Sequence, residues 1–172
     1  MPEPAKVAYV FPGQGAQSVG MGRDLYDNFA SAKALFKQAD EVLGFPLSKL
    51  CFEGPDEELR LTINTQPALL TVSYICLKVA QESSSGKLPS PAFLAGHSLG
   101  EYTALAAADV IDFATAVYLA RERGRLMHEA GLKEPGGMVA IIGLNEEALF
   151  EVCSQTDTQI ANFNCPGQLI IS

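Results

Sequence analysis

Apolar and polar positions alternate along the chain in a way that predicts strands separated by helices. Residues 6–11 (KVAYVF) form an apolar run rich in valine and aromatics, the signature of a short buried strand. From 29 to 43, Phe29, Ala32, Leu35, Phe36, Ala39 and Leu43 recur at helical spacing, and Gly44 with Pro46 beyond it ends the helix. Residues 54–58 (GPDEE) open a short acidic helix. Thr65 reads as an N-cap, with Pro67 in the first turn of a mostly apolar helix running to about residue 81. After a loop at 83–87 (SSSGK), residues 91–95 (PAFLA) fit a buried parallel strand. A helix of small residues is expected over 101–108, and a longer one over 113–130, closed by Gly131. Residues 138–144 read as a strand, Asn145 with Glu146 and Glu147 opens another helix, and 159–162 and 168–171 read as two more strands. This alternation is the pattern of an α/β architecture.

Composition narrows the picture. The chain has 172 residues, 48% of them hydrophobic and 19% charged, which excludes disorder. No run of about 18 uninterrupted apolar residues exists to span a membrane. The opening residues lack the basic start and apolar core of a secretory signal. Twelve Lys and Arg against 20 Asp and Glu give a net charge of −8, which argues against non-specific nucleic-acid binding. Cys51, Cys76, Cys153 and Cys165 have no metal-type spacing, so reduced thiols in a cytoplasmic protein are expected, with Cys76 buried in its apolar helix. The last residues, Ile170, Ile171 and Ser172, stop inside an apolar strand with no polar tail. That ending leads us to expect a fragment, since a sheet edge is normally paired or covered.

Gly96-His97-Ser98-Leu99-Gly100 matches G-x-S-x-G, between the expected strand and the small-residue helix. In a nucleophile elbow the sharp strand-to-helix turn exposes a strained serine, and flanking glycines give the turn its room. The backbone N–H of Leu99, at the helix start, is then placed to stabilise an oxyanion. A serine nucleophile needs an imidazole within hydrogen-bond reach. The chain has two histidines: His97, whose side chain should point away across the turn, and His128, which reads as a cation near a helix end. Neither supplies the base, so the base is expected outside this chain. The loop Phe11-Pro12-Gly13-Gln14-Gly15-Ala16-Gln17 is not a Walker loop and lacks G-x-G-x-x-G, which disfavours nucleotide binding. Its glycines allow close backbone approach to a ligand, although an ordinary strand-to-helix turn explains them equally well.

Taken together, FPGQGAQ at 11–17, TQPALL at 65–70, AGHSLGEYTAL at 95–105, RERGRLM at 121–127 and NFNCPGQ at 162–168 resemble the malonyl-CoA:acyl-carrier-protein transacylases. The acyltransferase domains of fatty acid and polyketide synthases are their close relatives. The resemblance covers essentially the whole chain. It implies an α/β-hydrolase-like large domain with a parallel sheet, here 1–131, and an inserted ferredoxin-like small subdomain, here 132–172, both incomplete. It implies that Ser98 is the acyl-accepting nucleophile and that the amides of Gln14 and Leu99 form the oxyanion hole. It gives Arg123 the free carboxylate of the malonyl group, a role that the helix pattern alone would not assign to it. Gln66 and Asn162 would lie near the pocket. The family's catalytic histidine has no counterpart in this sequence.

The reaction so implied is ping-pong acyl transfer from malonyl-CoA to the phosphopantetheine thiol of acyl carrier protein. It uses no metal or redox cofactor, with CoA entering as substrate. Two other readings compete. One is a serine esterase or thioesterase built on the same elbow, with Arg123 incidental. The other is a non-catalytic truncated chain completed by a partner.

Overall fold

A computed structural model describes residues 6–172. The described residues divide into two units, the first ending at Glu129 and the second running from Ala130 to Ser172. In chain order the first contains β1 (Ala8–Phe11), α1 (Arg23–Asn28), α2 (Ala30–Leu43), α3 (Leu47–Glu53), α4 (Asp56–Arg60), α5 (Thr62–Ser83), β2 (Phe93–Gly96), α6 (Gly100–Ala107) and most of α7 (Phe113–Lys133). The second contains β3 (Val139–Ile142), α8 (Glu146–Thr156), β4 (Ile160–Cys165) and β5 (Gln168–Ile171). This is the expected mixed α/β architecture, a parallel sheet and a separate small antiparallel one.

In the first unit α5 is the central element. Residues Thr65 to Thr71, together with Tyr74, Ile75 and Val79, are buried, so the first half of this helix is covered nearly all round. Ala32, Phe36 and Ala39 of α2 and Leu47, Leu50 and Cys51 of α3 share its core with Phe113, Ala116, Val117 and Ala120 of α7. Phe36 packs edge-on against Tyr26 and Phe52, with ring centroids 5.9 and 4.9 Å away. Truncating a fully buried core leucine such as Leu70 to alanine costs about 2–5 kcal/mol in such a setting. Gly44 closes α2 in the left-handed conformation (φ 71°), as its position predicted.

Strands β1 and β2 pair in parallel, Ala8 opposite Phe93 and Phe11 opposite Gly96. Both were expected to be buried, yet Val10 is 75% and Phe93 62% exposed. The reason is the sheet's size: among the described residues two strands give each only one neighbour, and the face carrying these side chains is left uncovered. Cys76 was also expected to be buried and is instead exposed, opening onto an apolar cavity of about 550 Å³. Partial burial, then the charge of Asp24, still raises its thiol pKa.

Two helix boundaries also differ from expectation. Thr65 is not an N-cap: α5 starts at Thr62, and the buried Thr65 hydroxyl donates to the Leu59 carbonyl at 2.5 Å. Gly131 does not close α7, which continues to Lys133. Helices α1 and α3 had not been anticipated.

The second unit is a three-stranded antiparallel sheet in the order β3-β5-β4, packed with α8 through Leu149, Cys153 and Leu169. Asn145 caps α8 as expected, its side chain accepting from the Ala148 amide at 2.9 Å. Asn162 lies on β4, opposite Ile170.

Candidate active site

The turn at Ser98 has the backbone that the G-x-S-x-G pattern predicts. Ser98 sits at φ 52°, a left-handed conformation that non-glycine residues rarely adopt. The flanking glycines are required by contact: a Cβ on Gly96 would lie 1.9 Å from the Gly100 carbonyl carbon, and one on Gly100 would lie 2.3 Å from the Phe11 oxygen. The strand end, the turn and the first residues of α6 therefore pack main chain against main chain. The His97 amide donates to Phe11 at 3.1 Å, which ties the turn to the end of β1. The amides of Gly100 and Glu101 go to the carbonyls of His97 and Ser98, and the side chain of Leu99 is buried.

The loop after β1 comes against this turn. A Cβ on Gly13 would meet the His97 carbonyl oxygen at 2.7 Å and its Nδ1 at 2.8 Å. Gln14, the next residue, is tethered from the other side, its Nε2 donating to Thr62 Oγ1 at 3.0 Å.

Helix α7 brings the third component. Arg123 Nη2 donates to Ser98 Oγ at 2.9 Å, and Nη1 donates to Gln66 Oε1 at 2.6 Å. Gln66 is fully buried and its Nε2 is placed 3.1 Å from Met127 Sδ, one turn further along α7. The guanidinium carbon also stands 6.0 Å from the Tyr102 ring centroid. A cation with one edge fixed and the other at a serine hydroxyl suits an acyl group that carries an anion, because a guanidinium fork matches a carboxylate bidentately.

The family described as acyl transferase domain matches residues 8–172. The chain belongs to this family. It is 50% identical over 173 residues to the malonyl CoA-acyl carrier protein transacylase of Bacillus subtilis (strain 168), a match over 98% of this chain and 53% of the relative. A 1.7 Å crystal structure of an acyl carrier protein S-malonyltransferase from Vibrio cholerae superposes with a TM-score of 0.86 at 47% identity, covering 97% of this chain and 55% of that one. A malonyl-transacylase solved in complex with a type II PKS acyl-carrier protein matches with a TM-score of 0.87 at 44% identity over 97% of this chain and 54% of that one. The chain thus spans about half the length of the relatives it matches.

Within this acyl transferase fold, Ser98, Leu99, Gln14, Gln66 and Arg123 fall in the first unit and are linked by the contacts above, whereas Asn162 belongs to the second. The hydrogen bond found at Ser98 Oγ comes from Arg123. His128 is on α7, five residues beyond that arginine. Among the described residues no three His, Cys, Asp or Glu side chains cluster as a metal site would require, and no helix is long and apolar enough to cross a membrane.

Three residues of the site had not been picked out. Thr62 holds Gln14, and Met127 holds Gln66. Arg121 Nη1 donates to the Ile63 carbonyl at 2.9 Å and to Asn64 Oδ1 at 2.6 Å, with its guanidinium carbon 4.8 Å from the Phe45 ring centroid. Partial burial lowers its pKa, against a smaller raising effect from Glu122. One signal for Arg121 was present in the sequence: Pro67 has no N–H for the carbonyl four residues earlier, so Ile63 needs another donor.

Proposed function

We propose that the whole protein transfers a malonyl group from coenzyme A to the phosphopantetheine thiol of acyl carrier protein, in fatty acid or polyketide synthesis. The observation that carries this is the Arg123 guanidinium, held at one nitrogen by buried Gln66 and reaching Ser98 Oγ with the other at 2.9 Å. An arginine aimed at the nucleophile has little use for a neutral acyl group. For a malonyl ester on Ser98 it supplies the counter-ion of the free carboxylate and fixes the acyl chain in one orientation. The relatives named as malonyl transacylases support the same choice.

In the first half-reaction Ser98 Oγ attacks the thioester carbonyl and its proton passes to a general base. We assign that base to a histidine outside the matched half. The amides of Leu99 and Gln14 receive the oxyanion, a kind of stabilisation whose loss at a single donor costs about 10²–10³ in rate. The C–S bond breaks and the CoA sulfur recovers the proton. In the second half the carrier thiol gives up its proton to the same base and attacks the malonyl-serine ester, regenerating the Ser98 hydroxyl. This exchange of oxygen and sulfur esters calls for no metal or redox cofactor, and CoA is a substrate. Acyl carrier protein as acceptor is supported by the solved complex of a related transacylase with its carrier protein. We place the reaction in the cytoplasm, consistent with four cysteines that are all free.

The test is acyl loading of the full-length protein. Radiolabelled malonyl-CoA should label Ser98, located by peptide mass, and Ser98→Ala should abolish the label. Arg123→Ala should reduce malonyl loading about ten- to hundredfold, the worth of hydrogen bonds to a charged group, with much less effect on acetyl loading. Equal malonyl loading by Arg123→Ala, or release of the acyl group to water in preference to the carrier thiol, would refute the assignment.

A further inference from the structure

Three contacts of the site meet on one short piece of α5. Thr62 Oγ1 accepts from the side chain of Gln14, whose amide is assigned to the oxyanion hole. Gln66 accepts from Arg123. Between them, Ile63 and Asn64 are held by Arg121. The same piece carries the weakest point of the helix, because Pro67 is its sixth residue and cannot donate to Ile63. An unpaired carbonyl would let this turn open or tilt, and Gln66, just before the proline, would swing with it.

We propose that Arg121 is a positioning residue of this site. By supplying the donor that Pro67 lacks, it fixes the first turns of α5, which in turn aim Gln66 at Arg123 and Thr62 at Gln14. One guanidinium nitrogen serves both the main-chain carbonyl and the Asn64 side chain, and the stacking on Phe45 keeps the group in place. Lysine can reach one of these acceptors but has no planar face to lay on the ring. The hydrogen bonds of Arg121 go to Ile63 and Asn64 of α5, so it acts on the site through that helix. Its effect on acyl choice rests on the malonyl-transfer reading, whereas its effect on α5 does not.

The test is a double-mutant cycle in the full-length protein with Arg121→Gln, Pro67→Ala and the pair. Two quantities are read: the malonyl-over-acetyl preference in loading of Ser98, and hydrogen exchange of the amides of residues 62–66. Arg121→Gln is expected to narrow the preference about tenfold, in keeping with the sensitivity of positioned groups to small displacements, and to speed exchange in that segment. With alanine at 67, the residue's own N–H takes the Ile63 carbonyl, and the loss should shrink to about threefold or less. Arg121→Lys should fall between the wild type and Arg121→Gln, and it carries the test if the glutamine variant does not fold. The proposal is overturned if the preference and the exchange are unchanged, or if the loss is the same with proline and with alanine at 67. It is also overturned if melting temperature falls while both quantities stay put. A wild-type protein with no malonyl preference sinks the functional reading instead; accelerated exchange in Arg121→Gln, reversed in the double variant, then still supports the role in α5.

Discussion

Gly124→Ala sets two effects of known size against each other at the place where α7 meets α5. A Cβ at 124 would lie 2.8 Å from the Thr62 carbonyl oxygen, 2.9 Å from Ile63 Cα and 3.3 Å from the Ile63 oxygen, all backbone atoms that no rotamer change can move aside. Comfortable separation is about 3.5 Å, so α7 must back away by about 0.7 Å. Overpacking of this kind costs about 1–3 kcal/mol. Replacing glycine by alanine inside a helix returns about 1 kcal/mol. The net destabilisation is therefore about 0–2 kcal/mol, a fall in melting temperature of up to about 8 °C for a chain of this size.

Activity should suffer more than stability. Arg123 is the adjacent residue, with bonds of 2.6 Å to Gln66 and 2.9 Å to Ser98. A shift of that size at the neighbouring residue would weaken these bonds, and a displacement near 1 Å at a positioned group can cost about 10²-fold in rate. Malonyl loading of the full-length protein, measured beside its thermal unfolding, separates the two effects. Gly131→Ala on the same helix is the control, since among the described residues nothing lies within 4 Å of its Cβ and only the helix-propensity gain should appear. If Gly124→Ala is stabilised like Gly131→Ala and loads malonyl at the wild-type rate, the close approach of α7 to α5 does not set the position of Arg123.

Two further outcomes are expected. Gly100→Ala, with its Cβ 2.3 Å from the Phe11 oxygen, should abolish loading of Ser98 and disrupt the β1–β2 pairing; a soluble variant that still loads would overturn the elbow geometry. Burial, and then the Asp40 charge, push the Cys51 thiol up to about 12, so under native conditions a thiol reagent at pH 8 should modify exposed Cys165 well before Cys51, and equal rates would contradict the packing. Because the Cys51 pKa is raised on folding, its contribution to stability is complete below the unfolded thiol value near 8.5 and is lost as pH rises from there toward 12; a Cys51→Ala variant should lose that alkaline slope.

The elbow was legible in the sequence because its requirements are local. Two glycines, a serine and the junction of a strand with a helix all fall within a few residues, and each appears in the structure as contact or backbone angle. Helix α2 was legible for the same reason, through its apolar spacing and Gly44. Helix α1 was not, because it has no buried residue and hence no apolar stripe to reveal it. The start of α5 was misread because Thr65 followed by Pro67 imitates a cap. Its true start is set from outside the helix, by Asn64 donating to the Glu58 carbonyl and Thr65 to that of Leu59. The link from Arg123 to Ser98 and Gln66 spans 25 and 57 residues of sequence, and no periodicity in α7 separates this arginine from Arg121 or Arg125. Arg125, for example, spends its guanidinium on Glu122 and Glu129 of its own helix. Family resemblance singled out Arg123; the structure shows that it contacts Ser98 and Gln66.

The manner in which the site is held has a consequence for where it tolerates change. Gly13 against His97, Gly96 against Gly100, Gly100 against Phe11 and Gly124 against Thr62 are all approaches that a single Cβ would block. In each the first obstacle is a backbone atom, so the position of Ser98 is set by main-chain contact more than by the choice of neighbouring side chains. The polar side chains then divide into two sets. In the first, Arg123 bonds Ser98 and Gln66 holds Arg123; in the second, Thr62 holds the Gln14 side chain and Arg121 the start of α5. Substitution of Arg121 should leave Ser98 able to react but widen the range of acyl groups it accepts, because the strained turn at φ 52° stays locked by glycine contacts while Arg123 loses its fixed aim. We therefore expect selectivity to be separable from nucleophilicity, with the first turns of α5 as the place where substitution parts them.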